Sequence, residues 1–282
     1  MTVVVGFLCS DGVVIAADSM LTPSMGNMGV GHHHGKKISI LAGSSQVFCF
    51  AGDLGIAMRF KVMAESVYAQ MQNVALPLDY PLAITQNIMN QLRTTESLHA
   101  ATGTNTLLAF DHGNNHQCCV FEGAMQPRLL DQDHYYVALG SGKLSADPFL
   151  RFLSDIFCPD GPPTVSEAIF LATWAVQHVI DVNPGGVAGP IRIATFVLDP
   201  ITQQYGGVAL PDEKIEEHRE AIANAAETLR GWRGSFGAGA AEQPNEGNAE
   251  VNAPVEQQDA DVPEMPQAPD LPLPQEDENV AV

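Results

Sequence analysis

Two periodicities of apolar positions alternate along the first 230 residues. Residues 2–9 form a β-branched and aromatic run that stops at Ser10-Asp11-Gly12, and residues 13–17 resume it. Such runs on either side of a short turn predict an antiparallel hairpin, and the absence of polar positions within them predicts strands covered on both faces. A loop rich in Met, Gly and His spans residues 19–35, and residues 37–41 and 46–51 read as a second strand pair. The spacing then changes to that of helices. Residues 54–72 carry Met58, Val62, Met63, Val67, Tyr68 and Met71 on a stripe expected to pack against the sheets, and residues 81–97 place Ile84, Ile88, Met89 and Leu92 at helical spacing. Strands are predicted at 104–111, 117–122 and 135–139, helices at 146–157 and 166–181, strands at 191–198 and 205–210, and a last helix at 212–230.

Blocks of strands alternating with blocks of helices do not suit a doubly wound parallel sheet. They predict an α+β fold, a four-layer α/β/β/α sandwich in which two antiparallel sheets pack face to face with helices outside each.

Composition changes the picture at the C-terminal end. The 282 residues include 33 acids and 13 Lys and Arg, a formal charge of -20, with mean hydropathy +0.02. Residues 241–282 hold 11 of the acids, seven of the 19 prolines and no Lys or Arg. Such a segment buries too little apolar surface to offset its ordering entropy, so residues 1–233 are expected to form the folded domain and 234–282 a disordered acidic tail. The charge balance argues against nucleic acid as a partner, whose phosphates need clustered bases, and against an anionic membrane surface. No apolar run approaches the roughly 20 residues of a membrane span, and the N-terminus lacks the pattern of a signal peptide. Five cysteines, two of them the adjacent Cys118 and Cys119, make a poor disulfide framework and point to the cytoplasm.

The candidate chemistry lies at the start of the chain. Thr2 follows Met1 directly, and removal of Met before a small residue would give Thr2 both a hydroxyl and a free α-amine. An α-amine titrates at about 7.7–8.0, close to working pH, and can take the hydroxyl proton and return it. A threonine activated by its own terminal amine is an established nucleophile. By itself the signal is weak, because a plain first-strand threonine begins the same way.

The surroundings strengthen it. Thr2-Val3-Val4-Val5-Gly6, with Asp18 sixteen positions after Thr2, then Gly35-Lys36-Lys37-Ile38, Phe50-Ala51-Gly52-Asp53, Gly140-Ser141-Gly142 and Asp181 before Gly185-Gly186, occur in that order. The series resembles proteasome β-type subunits and their bacterial relatives built from one subunit type. The resemblance covers residues 2–230 and rests on order and spacing. It implies the N-terminal nucleophile hydrolase fold and a threonine-type endopeptidase. Thr2 is then the nucleophile, Asp18 and Lys37 (with Lys36 as fallback) its charged partners, and Ser141 and Asp181 the groups that orient the amine. The backbone N–H of Cys49, where the family has glycine, becomes the oxyanion donor, and Leu21, Val47 and Ala51 line an apolar specificity pocket. No metal or cofactor is implied. Partners are copies of the chain in a ring or double ring, peptide or unfolded-protein substrates, and an ATPase or regulator left open. Pro184, where the family often has serine, departs from the pattern, and the alternative is a non-catalytic ring or scaffold docking through its acidic tail. His32-His33-His34 reads as a solvated loop at the rim of the site rather than a metal ligand set, since consecutive residues diverge in extended chain and no acid or cysteine brackets them.

Overall fold

In the computed structural model the residues described are 2–22, 24–25, 28–29, 31–70, 75–183 and 186–237. Strands β1 (Val4–Leu8) and β2 (Gly12–Ala17) form the predicted hairpin, with Val4 opposite Ala17 and Leu8 opposite Val13. Four two-residue strands follow within the predicted loop: β3 (Met20–Leu21), β4 (Ser24–Met25), β5 (Met28–Gly29) and β6 (His33–His34). Next come β7 (Ile38–Ile40), β8 (Val47–Ala51), α1 (Leu54–Gln70), α2 (Asp79–Thr94) and the short α3 (His99–Thr102). Strands β9 (Asn105–His112), β10 (Asn115–Glu122), β11 (Gln126–Leu129) and β12 (Tyr136–Leu139) precede α4 (Lys143–Phe157) and α5 (Val165–Val182). The described chain ends with β13 (Arg192–Leu198), β14 (Tyr205–Ala209) and α6 (Asp212–Gly237). Helix α6 thus continues past residue 233; the expected tail lies outside the described residues from 238 onward.

The strands assemble into two five-stranded antiparallel sheets, ordered β12-β1-β2-β13-β14 and β11-β10-β9-β8-β7. Strand parity builds the layers. In the first sheet Val5, Phe7, Val14 and Ala16 point outward to α4 and α5, while Val4, Val13, Ile15 and Ala17 point at the second sheet. In the second sheet Val47, Cys49, Leu107, Ala109, Cys118 and Val120 meet them, and Phe48, Phe50, Leu108, Phe110, Cys119 and Phe121 face α1 and α2. The result is the four-layer sandwich, with apolar surface on both faces of every central strand. Helix α5 is apolar enough to resemble a membrane span, but Ala168, Leu171, Ala172, Ala175, Val176 and Val179 bury its face against β1 and β2.

One helix face differs from expectation. The buried stripe of α1 is Ile56, Phe60, Ala64 and Val67, while Met58 and Val62 are 63% and 57% exposed. Phe60 wins that face because its ring stacks on Phe48 at 5.2 Å and meets Phe121 edge-on at 4.7 Å. Met71 lies outside the described residues.

Phe60→Ala should therefore cost about 3–5 kcal/mol of unfolding free energy and Met58→Ala less than about 0.5, read from urea denaturation with unchanged slope.

Candidate active site

The strand ends that converge at one end of the sandwich carry the predicted residues. Thr2 precedes β1, Asp18 follows β2 and Lys37 precedes β7, so the two charged residues come from opposite sheets. Lys37 Nζ lies 2.6 Å from Asp18 Oδ1 and 2.9 Å from Thr2 Oγ1. Both side chains of the ion pair are buried, at 1% and 0% exposure. Desolvation pushes the Lys37 ammonium below the ordinary lysine range, and the Asp18 carboxylate opposes that shift. Asp18 is held in turn by backbone donors: the Val3 N–H reaches Oδ1 at 2.9 Å and the Met20 N–H reaches Oδ2 at 3.1 Å. The Thr2 nitrogen donates to Ser141 Oγ at 3.1 Å, and the Thr2 carbonyl accepts from the Gly142 N–H at 3.0 Å. Gly140, at φ +85°, lets this turn press against the Thr2 carbonyl, where a Cβ would collide with it.

Thr2, Asp18, Lys37 and Ser141 therefore form one hydrogen-bonded cluster. An ammonium donating to a hydroxyl oxygen favours its alkoxide, and a buried carboxylate fixes that ammonium in place. Lys36, the fallback, is exposed and lines a different cavity.

Three other predicted residues are placed differently. Cys49 sits in the middle of β8, paired to Ile38 on one side and Leu107 on the other, with its side chain in the inter-sheet core. Burial pushes its thiol well above the usual range. The residue that borders the Thr2 cavity is Gly52, three positions on, where β8 ends; it has φ +120°, and no described residue outside the strand ladders accepts from its N–H. Val47 packs between the sheets at the start of β8, four residues before Ala51, and is absent from the cavity wall, whereas Leu21 and Ala51 line it together with Phe50. Asp181 is exposed and accepts from Gln177 of its own helix at 2.7 Å, joining none of the cluster's hydrogen bonds. Helical geometry is the reason: Val179 faces the Gly142 turn, and a residue two positions on points to the opposite side. Asn183, four after Val179, takes the inward position and donates to Ser145 Oγ at 3.0 Å. The i, i+4 continuation of the buried α5 stripe was the available signal for it. Pro184 lies outside the described residues.

The cavity beside Thr2 has a volume of about 890 Å³, within the range of ligand sites. Leu21, Phe50 and Ala51 supply its apolar wall, and Thr22, His33, Asp53 and Asn105 its polar rim. His33 thus reaches the rim through the β3–β6 pairing of Leu21 with His33. Among the described residues no group of three metal-ligating side chains converges.

A sandwich of two antiparallel sheets between helix layers is the N-terminal nucleophile hydrolase fold. Among solved structures the chain is similar to Anbu (ancestral β-subunit) from Yersinia bercovieri, with TM-score 0.60 and 16% identity over 81% of this chain and 97% of that one. It is also similar to an Anbu (Gly-1) mutant from Hyphomicrobium sp. strain MC1, with TM-score 0.61 and 15% identity over 82% and 97%. No protein-family model matches the sequence, and no curated protein sequence does either.

Asp18→Ala strands a buried ammonium and should cost about 3–5 kcal/mol in urea unfolding, and adding Lys37→Met should recover most of it, because an apolar pair replaces a broken ionic one.

Proposed function

We propose that the chain is a threonine-type endopeptidase that cleaves peptide bonds through an acyl-enzyme on Thr2. The observation that supports this most directly is the 2.9 Å contact between Lys37 Nζ and Thr2 Oγ1 above a buried carboxylate. Removal of Met1 turns the Thr2 nitrogen into a terminal amine beside Ser141 Oγ. That amine accepts the hydroxyl proton, directly or through water, as Oγ attacks the substrate carbonyl. The Gly52 N–H, in the role expected of Cys49, donates to the developing oxyanion, a contact worth roughly 3–4 kcal/mol in other hydrolases. The C–N bond breaks, the leaving amine takes the proton, and Thr2 is left as an ester. Water then attacks the ester with the amine again as base, releasing the acid and restoring the hydroxyl. Leu21, Phe50 and Ala51 favour an apolar side chain on the acyl side of the cut. Asp181 has no part in this scheme.

The assembly proposed is a ring of identical copies in the cytoplasm. Exposed apolar side chains support self-association: Leu144, Phe152 and Ile156 on α4 are 87%, 50% and 53% exposed, and Leu54, Met58 and Val62 recur every fourth residue on α1. All five cysteines are free thiols, in keeping with a reducing compartment.

Intact mass should show Met1 removed, and an epoxyketone probe should add once, at Thr2. Thr2→Ala should take no label, and Lys37→Met should label at least about a thousandfold more slowly. Retained Met1, or equal labelling of Thr2→Ala, leaves only a non-catalytic scaffold. The labelling rate of the wild type should also rise with pH and level off above about 8, since a protonated amine cannot accept the hydroxyl proton. Introducing two charges, Phe152→Glu with Ile156→Glu, should lower the assembly's mass in light scattering if α4 joins copies.

A further inference from the structure

A second cavity, of about 810 Å³, shares no wall residue with the one at Thr2. It opens between the last strand of one sheet, β7, and the β13–β14 edge of the other. Its charged side chains are Lys36, Lys61 and Arg192, and no carboxylate lines it. That is a marked segregation in a chain whose acids outnumber Lys and Arg 33 to 13. Elsewhere the bases are mostly neutralised locally: Lys37, Arg128, Lys143, Arg151, Lys214, Arg219 and Arg230 each have an acidic partner. Lys36 and Lys61 have none among the described residues, and Arg192 shares its guanidinium with Asp212, leaving further N–H donors.

The wall between these cations is a sheet edge. Strand β7 pairs with β8 only, so its outer N–H and C=O groups have no strand partner among the described residues. Ile40, at 38% exposure, and Ser39 face the same space. Open edges of this kind pair readily with another chain unless something blocks them. Added strands draw affinity from main-chain hydrogen bonds and specificity from side-chain contacts. Cations on three separate elements, α1, β13 and the approach to β7, define a trough for a chain rather than a point for a single small anion.

We propose that this cleft binds an extended, carboxylate-rich peptide segment of a partner protein. The segment adds as a strand to the free edge of β7 while its acidic side chains meet Lys36, Lys61 and Arg192. Lys36 and Ile38 flank Lys37, and Ser19, also in the cleft wall, follows Asp18. An occupied cleft therefore bears on both halves of the buried ion pair. Any effect on Thr2 chemistry rests on the peptidase reading above; the binding itself does not.

The test is fluorescence anisotropy of the full-length protein with a short labelled peptide alternating Glu and Val, beside its Gln–Val analogue. The Glu peptide should bind and the Gln analogue should bind at least about tenfold more weakly, with affinity falling as salt rises. Lys36→Glu with Lys61→Glu should lower affinity by about ten- to a hundredfold, and Arg59→Glu with Arg93→Glu, on the α1 and α2 surface, should leave it unchanged. Hydrogen exchange should show the amides of Ile38 and Ile40, which alternate with the inward amides of Ser39 and Leu41, protected by the peptide. Should the double reversal not fold, as judged by circular dichroism, Lys61→Gln carries the comparison with a smaller loss. Absence of binding, equal binding of the Gln analogue, indifference to charge reversal, or binding without protection of β7 would each overturn the proposal. Because the readout is binding, Thr2→Ala should behave as wild type, and a failed peptidase assay leaves this result standing.

Discussion

The ion pair between Asp18 and Lys37 is the constraint around which this end of the molecule is organised. It joins the end of β2 in one sheet to the approach of β7 in the other, at a point where both partners are removed from water. A buried pair is tolerated only when its remaining donors and acceptors are met. Here Asp18 takes two backbone N–H groups, from Val3 and Met20, and Lys37 gives a further hydrogen bond to Thr2. Those added bonds fix the first residues of β1 at the mouth of the sandwich. The pair therefore sets the position of the hydroxyl more than it adds to stability.

Close backbone approach does the remaining work. Gly140 and Gly52 have positive φ, and a Cβ on either would strike backbone, at Thr2 and Gly103 respectively. Both turns border the cavity at Thr2, and neither admits another residue without moving the wall. The apolar layers beneath are redundant by comparison, since each central strand contributes side chains to two cores.

Much of this was legible in the chain. The hairpin, the alternation of strand and helix blocks and the layer order follow from runs of apolar residues on strands buried on both faces. Strand β11 goes unpredicted because Pro127 interrupts its four residues, although an edge strand tolerates a missing donor. Of the expected α1 stripe, Met63, Val67 and Tyr68 pack on the core while Met58 and Val62 do not, because the partner Phe48 and Phe121 rings draw Phe60 inward. At the site, Thr2, Asp18, Lys37 and Ser141 were marked by order and spacing. Asp181 points to the side of its helix away from the cluster, and Val47 and Cys49 lie too early on β8 to reach the cavity that Ala51 and Gly52 border. Gly52 borders the cavity, and Asn183 donates to Ser145 in the first turn of α4.

The anchoring of the second residue is asymmetric. Its carbonyl is held by Gly142 and the following amide by Asp18, so everything downstream of its α-carbon is already fixed while the peptide link to Met1 is intact. The removal of Met1 proposed above would change the charge at one nitrogen and break neither of these two hydrogen bonds.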